Sequence, residues 1–208
     1  MPARRTLALD AAVAALIACS VLAITAIAHS GKSAYPTQWE RDKSVGYQFD
    51  GSMSAAYRNR VVAAAKQWNK LRPALSFDKQ KGNAQVYPQG ECGNSYQSNV
   101  ITERSLNGAL GFTTWCLFDG SGEIYSFQLA IDKKTNFYTG KGKPPSEKYD
   151  LFSTVLHEFG HAQGRSDHYR DNASFCKKGG GEVMCSTMSP GVKRNVQKHD
   201  KHTFDSAY

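Results

Sequence analysis

No Cys-x-x-Cys pair occurs in the 208 residues, which argues against a cysteine-built zinc site of the finger or ribbon kind. Internal repeats are absent, so solenoids and propeller-like arrays are excluded. No block of low complexity points to disorder, and apolar and charged residues stand at 40% and 21%, ordinary for a globular chain. Net charge is +8, yet the basic residues form no stripe interleaved with aromatics and no nucleic-acid motif is present. That charge reads as a solvated face, with no nucleic-acid partner. The length suits one domain with a real core rather than two.

One long apolar run does exist, at the start. "MPARR" is a short basic opening, "LALDAAVAALIACSVLAITAIA" is apolar, and "AIA" before His29 is a small-x-small cleavage pattern. Residues 1–28 therefore read as a secretory signal, placing the mature protein outside the cytoplasm. Two other forms of export fit the same segment: an uncleaved anchor through residues 11–28, or a lipid on Cys19 of "LIAC". With a cleaved signal, no stable membrane association is expected.

Without Cys19, the chain keeps Cys92, Cys116, Cys176 and Cys185. In an oxidising compartment these form two disulfides. Three pairings are possible, and the local ones, Cys92–Cys116 and Cys176–Cys185, are favoured.

Residues 29–43 are polar and irregular, an N-terminal arm before a domain over 44–208. "SVGYQFD" alternates as a strand does. "SMSAAYRNRVVAAAKQWNKLRP" changes to helical spacing through Val61, Ala65, Trp68 and Leu71, with a serine start and Pro73 as a stop. Short strands are predicted at "ALSFD", "AQVYP" and "NVITE", and stronger ones at "ALGFTTWCLF" and "EIYSFQLAID" on either side of the turn "DGSG". A loop through "KKTNFYTGKGKPPSEKYD" leads to Asp150 as N-cap of a helix over 151–163, which Gly164 ends in a left-handed cap. The pattern is α+β.

That last helix carries "VLHEFGHAQGRSDH" over residues 155–168. Positions i and i+4 share a helix face, so His157 and His161 can offer two imidazoles to one ion. Glu158, one residue round, is poorly placed as a ligand and well placed to take a proton from water polarised by that ion. H-E-x-x-H with Gly164 at its offset arises by chance in about one shuffled chain of this composition in 2000. The histidines are therefore not read as ordinary surface residues.

"HEFGHAQGRSD" resembles the metzincin zinc metallopeptidase signature, and "HEFGHA" is similar to the wording of the matrixins. In that clan a third ligand follows the glycine after two intervening residues. Here that place falls on Asp167, where matrixins carry histidine and snapalysin-like peptidases carry aspartate; "DHY" is also similar to the snapalysin-like wording. One inserted residue would bring His168 to the ligand place, so His168 stays an alternative to Asp167. "GEVMCSTMSPG" supplies the Met-turn that the resemblance implies, as Met188 before Ser-Pro or, alternatively, as Met184.

The resemblance further implies a zincin catalytic domain. Its upper part, 44–164, would hold a twisted mixed sheet of about five strands, a backing helix and the active-site helix. Its lower part, 165–208, would hold the Met-turn and a closing helix from "VQKHDKHTFDSAY". An edge strand near 109–115 would line the cleft and bind a protein or peptide substrate as an added strand.

The expected activity is that of a secreted, monomeric zinc endopeptidase with one catalytic zinc and Glu158 as general base. The alternative is a non-catalytic, metal-stabilised cell-surface binding module of the same fold, which has no need of Glu158. The sequence specifies no calcium site, latency segment or cleavage preference.

Overall fold

The computed structural model describes residues 38–40, 43–71, 75–91, 99–167, 182–185, 194–198 and 200–201. Strand β1 (Lys43–Phe49) buries Val45, Tyr47 and Phe49 on one face, the period-2 alternation of a half-buried strand. Helix α1 (Ala55–Asn69) follows, its first turn capped by the Ser54 hydroxyl accepting from Tyr57 N at 3.3 Å. Its buried stripe is Val61, Ala64, Ala65 and Trp68. Then come β2 (Leu75–Asn83), β3 (Val100–Arg104), β4 (Gly111–Leu117) and β5 (Ile124–Asp132), with helix α2 (Leu151–Ala162) after them.

The five strands make one mixed sheet in the order β2-β1-β3-β5-β4. β1 runs parallel to β2 and β3, and β3 parallel to β5. β4 alone is antiparallel, paired to β5 through the turn at Gly120 and Gly122, and it lies at the sheet's edge. The α+β architecture read from the sequence, with a mixed five-stranded sheet, a backing helix and a site helix, is thus present.

Aromatic packing sets the rotation of α2. Phe159 is fully buried, with its ring 5.0 Å from Phe77, 5.7 Å from Tyr47 and 6.4 Å from Phe127. Burying one such ring contributes about 1.5–3 kcal/mol. Trp68 adds a polar tie: its indole Nε1 donates to Leu156 O at 2.8 Å. With Phe159 packed in this way, His161 is the one residue of α2 that is only partly buried.

Two expectations need correction. "AQVYP" is not a strand. β2 instead runs on to Asn83, and Tyr87 N donates to the Gln128 side chain at 3.0 Å while Tyr87 O accepts from Arg104 Nη2 at 2.6 Å. Side chains have taken the groups a ladder would need, and Val86 stands exposed. Nor is the arm over 29–43 simply irregular. Lys43 already belongs to β1, Gln38 bridges to Glu123, and Trp39 is buried with Nε1 donating to Ala162 O at 2.8 Å.

Asp150 caps α2 by accepting from Ser153 N at 3.0 Å, and Gly164 has φ +83° just beyond the helix. The loop before it is better anchored than its composition suggests, with Phe137 buried and Tyr138 bridged to Asp150. Of the closing helix, residues 198, 200 and 201 are helical, and Lys201 N donates to Gln197 O at 3.0 Å. Cys116 and Cys185 are buried and disulfide-bonded; Cys92 and Cys176 lie outside the described residues, as do residues 1–37. Among the described residues no helix is long and apolar enough to cross a membrane.

Candidate metal centre

His157 is buried and His161 partly so, one turn apart on α2. Each ring is held from behind by a main-chain carbonyl: His157 Nδ1 lies 2.7 Å from Val183 O, and His161 Nδ1 lies 2.7 Å from Arg165 O. A carbonyl only accepts, so both Nδ1 atoms carry the proton and both Nε2 atoms of the neutral rings present lone pairs. Those lone pairs point at one another, with the Nε2 atoms 3.1 Å apart.

Gly164 supplies the third donor. Its left-handed turn lets Gly164 N bond His161 O at 2.7 Å and Arg165 N bond Gly160 O at 3.2 Å. The chain thereby doubles back, bringing Asp167 Oδ1 to 3.1 Å from His157 Nε2 and 3.5 Å from His161 Nε2. These three residues form the one His/Cys/Asp/Glu group of metal-binding compactness among the described residues. Asp167 Oδ1 is buried with no hydrogen-bond partner beyond the two ring nitrogens. His168 and Met188 lie outside the described residues.

Three lone pairs converging in a buried place repel unless a cation joins them. Ligands about 2.0–2.1 Å from a tetrahedral zinc sit about 3.3 Å from each other, and the observed separations bracket that edge. Two imidazoles and one carboxylate also leave a fourth position open, the pattern of catalytic rather than structural zinc. The residues fit zinc.

The electrostatics agree. For the ion-free site, burial works against charge on His161, but the hydrogen bond to Asp167 and the charges of Glu158 and Asp167 prevail and raise its pKa to about 9. Burial also opposes charge on Asp167, yet the two imidazoles hold its carboxyl well below the usual carboxylate range. The place attracts positive charge, which a proton or a metal ion can supply.

Glu158 is not in the ligand group. It is buried, and Thr113 Oγ1 on β4 lies 2.8 Å from its Oε2 and 3.1 Å from its main-chain oxygen. Met184, fully buried, packs against Gly160 and so lies beneath the same helix turn as His157. Its segment is tied down by Asp200, whose fully buried carboxylate accepts from Val183 N at 2.9 Å, Met184 N at 3.2 Å and Gln197 N at 3.0 Å.

The supporting residues escaped the sequence reading for different reasons. Val183 and Arg165 act through main-chain oxygens, which any residue type provides. Thr113 is an ordinary strand residue. Asp200 sits in "KHDKH", which reads as a charged helix face, and only its spacing from Gln197 at the helix start hints at a cap.

Neither a family model nor a curated protein matches the chain. Among solved structures it is similar to myroilysin in two of them. One shares 14% identity, covering 83% of this chain and 82% of that one, with a TM-score of 0.49. The other shares 15%, covering 83% and 86%, with a TM-score of 0.47. It is also similar to high choriolytic enzyme 1, a hatching enzyme zinc-protease from the medaka fish Oryzias latipes, at 16% identity over 71% of this chain and 57% of that one, with a TM-score of 0.37. At such identities and scores, the functional reading of this chain rests on the geometry of His157, Glu158, His161 and Asp167.

Proposed function

We propose that the protein is a secreted zinc-dependent endopeptidase. The observation that carries the reading is the convergence of His157 Nε2, His161 Nε2 and Asp167 Oδ1, each 3.1–3.5 Å from the others, beside a buried glutamate. Zinc held there supplies Lewis acidity, lowering the pKa of water towards about 7 and polarising a carbonyl.

The chain's own residues supply the rest. Val183 O and Arg165 O fix the tautomer and orientation of the two imidazoles. With Glu158 Oε2 engaged by Thr113, Oε1 remains to take the proton of the attacking water and return it to the leaving amine. Among the described residues the outer edge of β4 has no strand partner, and a peptide added there would run past Glu158. Protein or peptide is therefore the substrate class.

Export follows from the leader-like residues 1–28, and Cys92–Cys116 with Cys176–Cys185 is the pairing proposed for the oxidised protein. The test is cleavage of denatured protein substrates by purified mature protein, with and without chelator, beside Glu158→Ala and Glu158→Gln. Cleavage that chelator abolishes and both variants lack is expected. Equal cleavage in every sample defeats the reading.

A further inference from the structure

Glu158 rests in a seat built by the edge strand. Strand alternation puts Gly111 and Thr113 on one face of β4, turned towards α2. At Gly111 the fit is close: an added Cβ would lie 2.6 Å from both Cγ and Oε1 of Glu158. The φ of Gly111 is not positive, so the need for glycine is steric. The glutamate stem lies directly over its backbone.

Two positions along, the Thr113 hydroxyl reaches Glu158 Oε2 at 2.8 Å. Threonine is stiff at χ1, particularly on a strand, so its hydroxyl is aimed with little freedom. A buried carboxylate needs such a donor.

We propose that Thr113 and Gly111 are positioning residues for the general base: Thr113 ties down one carboxylate oxygen, and Gly111 leaves room for the stem. The proposal rests on the peptidase reading and deepens it. The strand offered to substrate and the strand that aims the base are the same, β4. Extended peptide bound on its outer edge therefore meets a glutamate already oriented, and no separate loop has to close to aim it.

The experiment compares wild type, Thr113→Val, Thr113→Ser and Gly111→Ala as zinc-loaded proteins, reading kcat, KM, zinc content and the crystal structure around Glu158. Thr113→Val is expected to lower kcat about tenfold with KM within about twofold and zinc content unchanged. Thr113→Ser restores most of the rate. Gly111→Ala lowers kcat comparably. In the Thr113→Val crystal the Glu158 carboxylate leaves its place over Gly111.

A Thr113→Val enzyme with wild-type kcat, or a Thr113→Ser enzyme as slow as Thr113→Val, overturns the proposal. If wild type and Glu158→Gln cleave substrate equally, the peptidase reading has failed, and the crystal comparison alone decides the seat: Glu158 unmoved in Thr113→Val overturns it, Glu158 displaced supports it. Should Thr113→Val not fold, Thr113→Ala is read by the same measurements.

Discussion

Gly160 and Met184 interlock. Gly160 is the residue before His161 on α2, and the Met184 Sδ and Cε occupy the space where any side chain at position 160 would stand, with a Trp68 ring carbon 3.2 Å from that place. The glycine inside the histidine motif is thus a packing requirement of the methionine beneath it.

Gly160→Ala tests this. In a free helix alanine gains about 1 kcal/mol over glycine, but here the added methyl must push Met184 aside, and overpacking of this kind costs about 1–3 kcal/mol. A net loss of stability is expected in denaturant unfolding. A more stable variant would show that Met184 has room to move.

The third ligand can be read by metal content. Asp167→Ala is expected to lose stoichiometric zinc after dialysis, because it leaves two imidazoles and no carboxylate. His168→Ala is expected to keep it. Elemental analysis of the two dialysed variants, folded by circular dichroism, decides, and the opposite result would assign the ligand to His168.

Asp200→Asn should be felt at the metal. The buried carboxylate accepts three main-chain N–H groups, and an amide of the same shape must turn its NH2 against at least one of them. A loss of about 1–3 kcal/mol in stability is expected. Because Val183 O holds the His157 ring, zinc affinity should fall by about tenfold or more in competition with a chelator. Unchanged affinity in a destabilised variant would confine Asp200 to folding.

Acid stability has a separate contributor in Asp132. Burial opposes its charge, but the Thr135 hydroxyl and the main-chain N–H groups of Leu106, Lys134 and Thr135 outweigh it and lower its pKa. A carboxyl whose folded pKa lies below its unfolded one, about 3.9, stabilises the fold above that unfolded value and loses the contribution as pH falls through the folded one. Asp132→Asn should therefore cost about 1–2 kcal/mol at pH 7, with the gap to wild type closing as pH falls below the unfolded value of about 3.9. A gap of constant size in urea unfolding across that range would refute the linkage.

Much of this was legible in the residues. Val45, Tyr47 and Phe49 alternate because one face of β1 is buried, and that alternation is visible in any copy of the sequence. The cap at Asp150 and the break at Gly164 were equally plain, since each depends on a local preference of one residue type. "AQVYP" misled because its apolar alternation is real while its hydrogen-bonding groups are claimed by Gln128 and Arg104, distant in the chain. Trp39 misled for a related reason: its polar neighbours mask one ring that finds the end of α2.

The sequence by itself determined the helix, its two histidines, the glutamate beside them and the glycine after, because helical periodicity and backbone preference act over a few residues. Only the tertiary structure decided which carbonyls face the imidazoles, that Asp167 comes up to both histidines, that Met184 packs under Gly160, and that Glu158 lies against β4. Those choices depend on main-chain atoms and contacts between segments far apart in the chain, and such contacts leave no periodic trace in the order of residues.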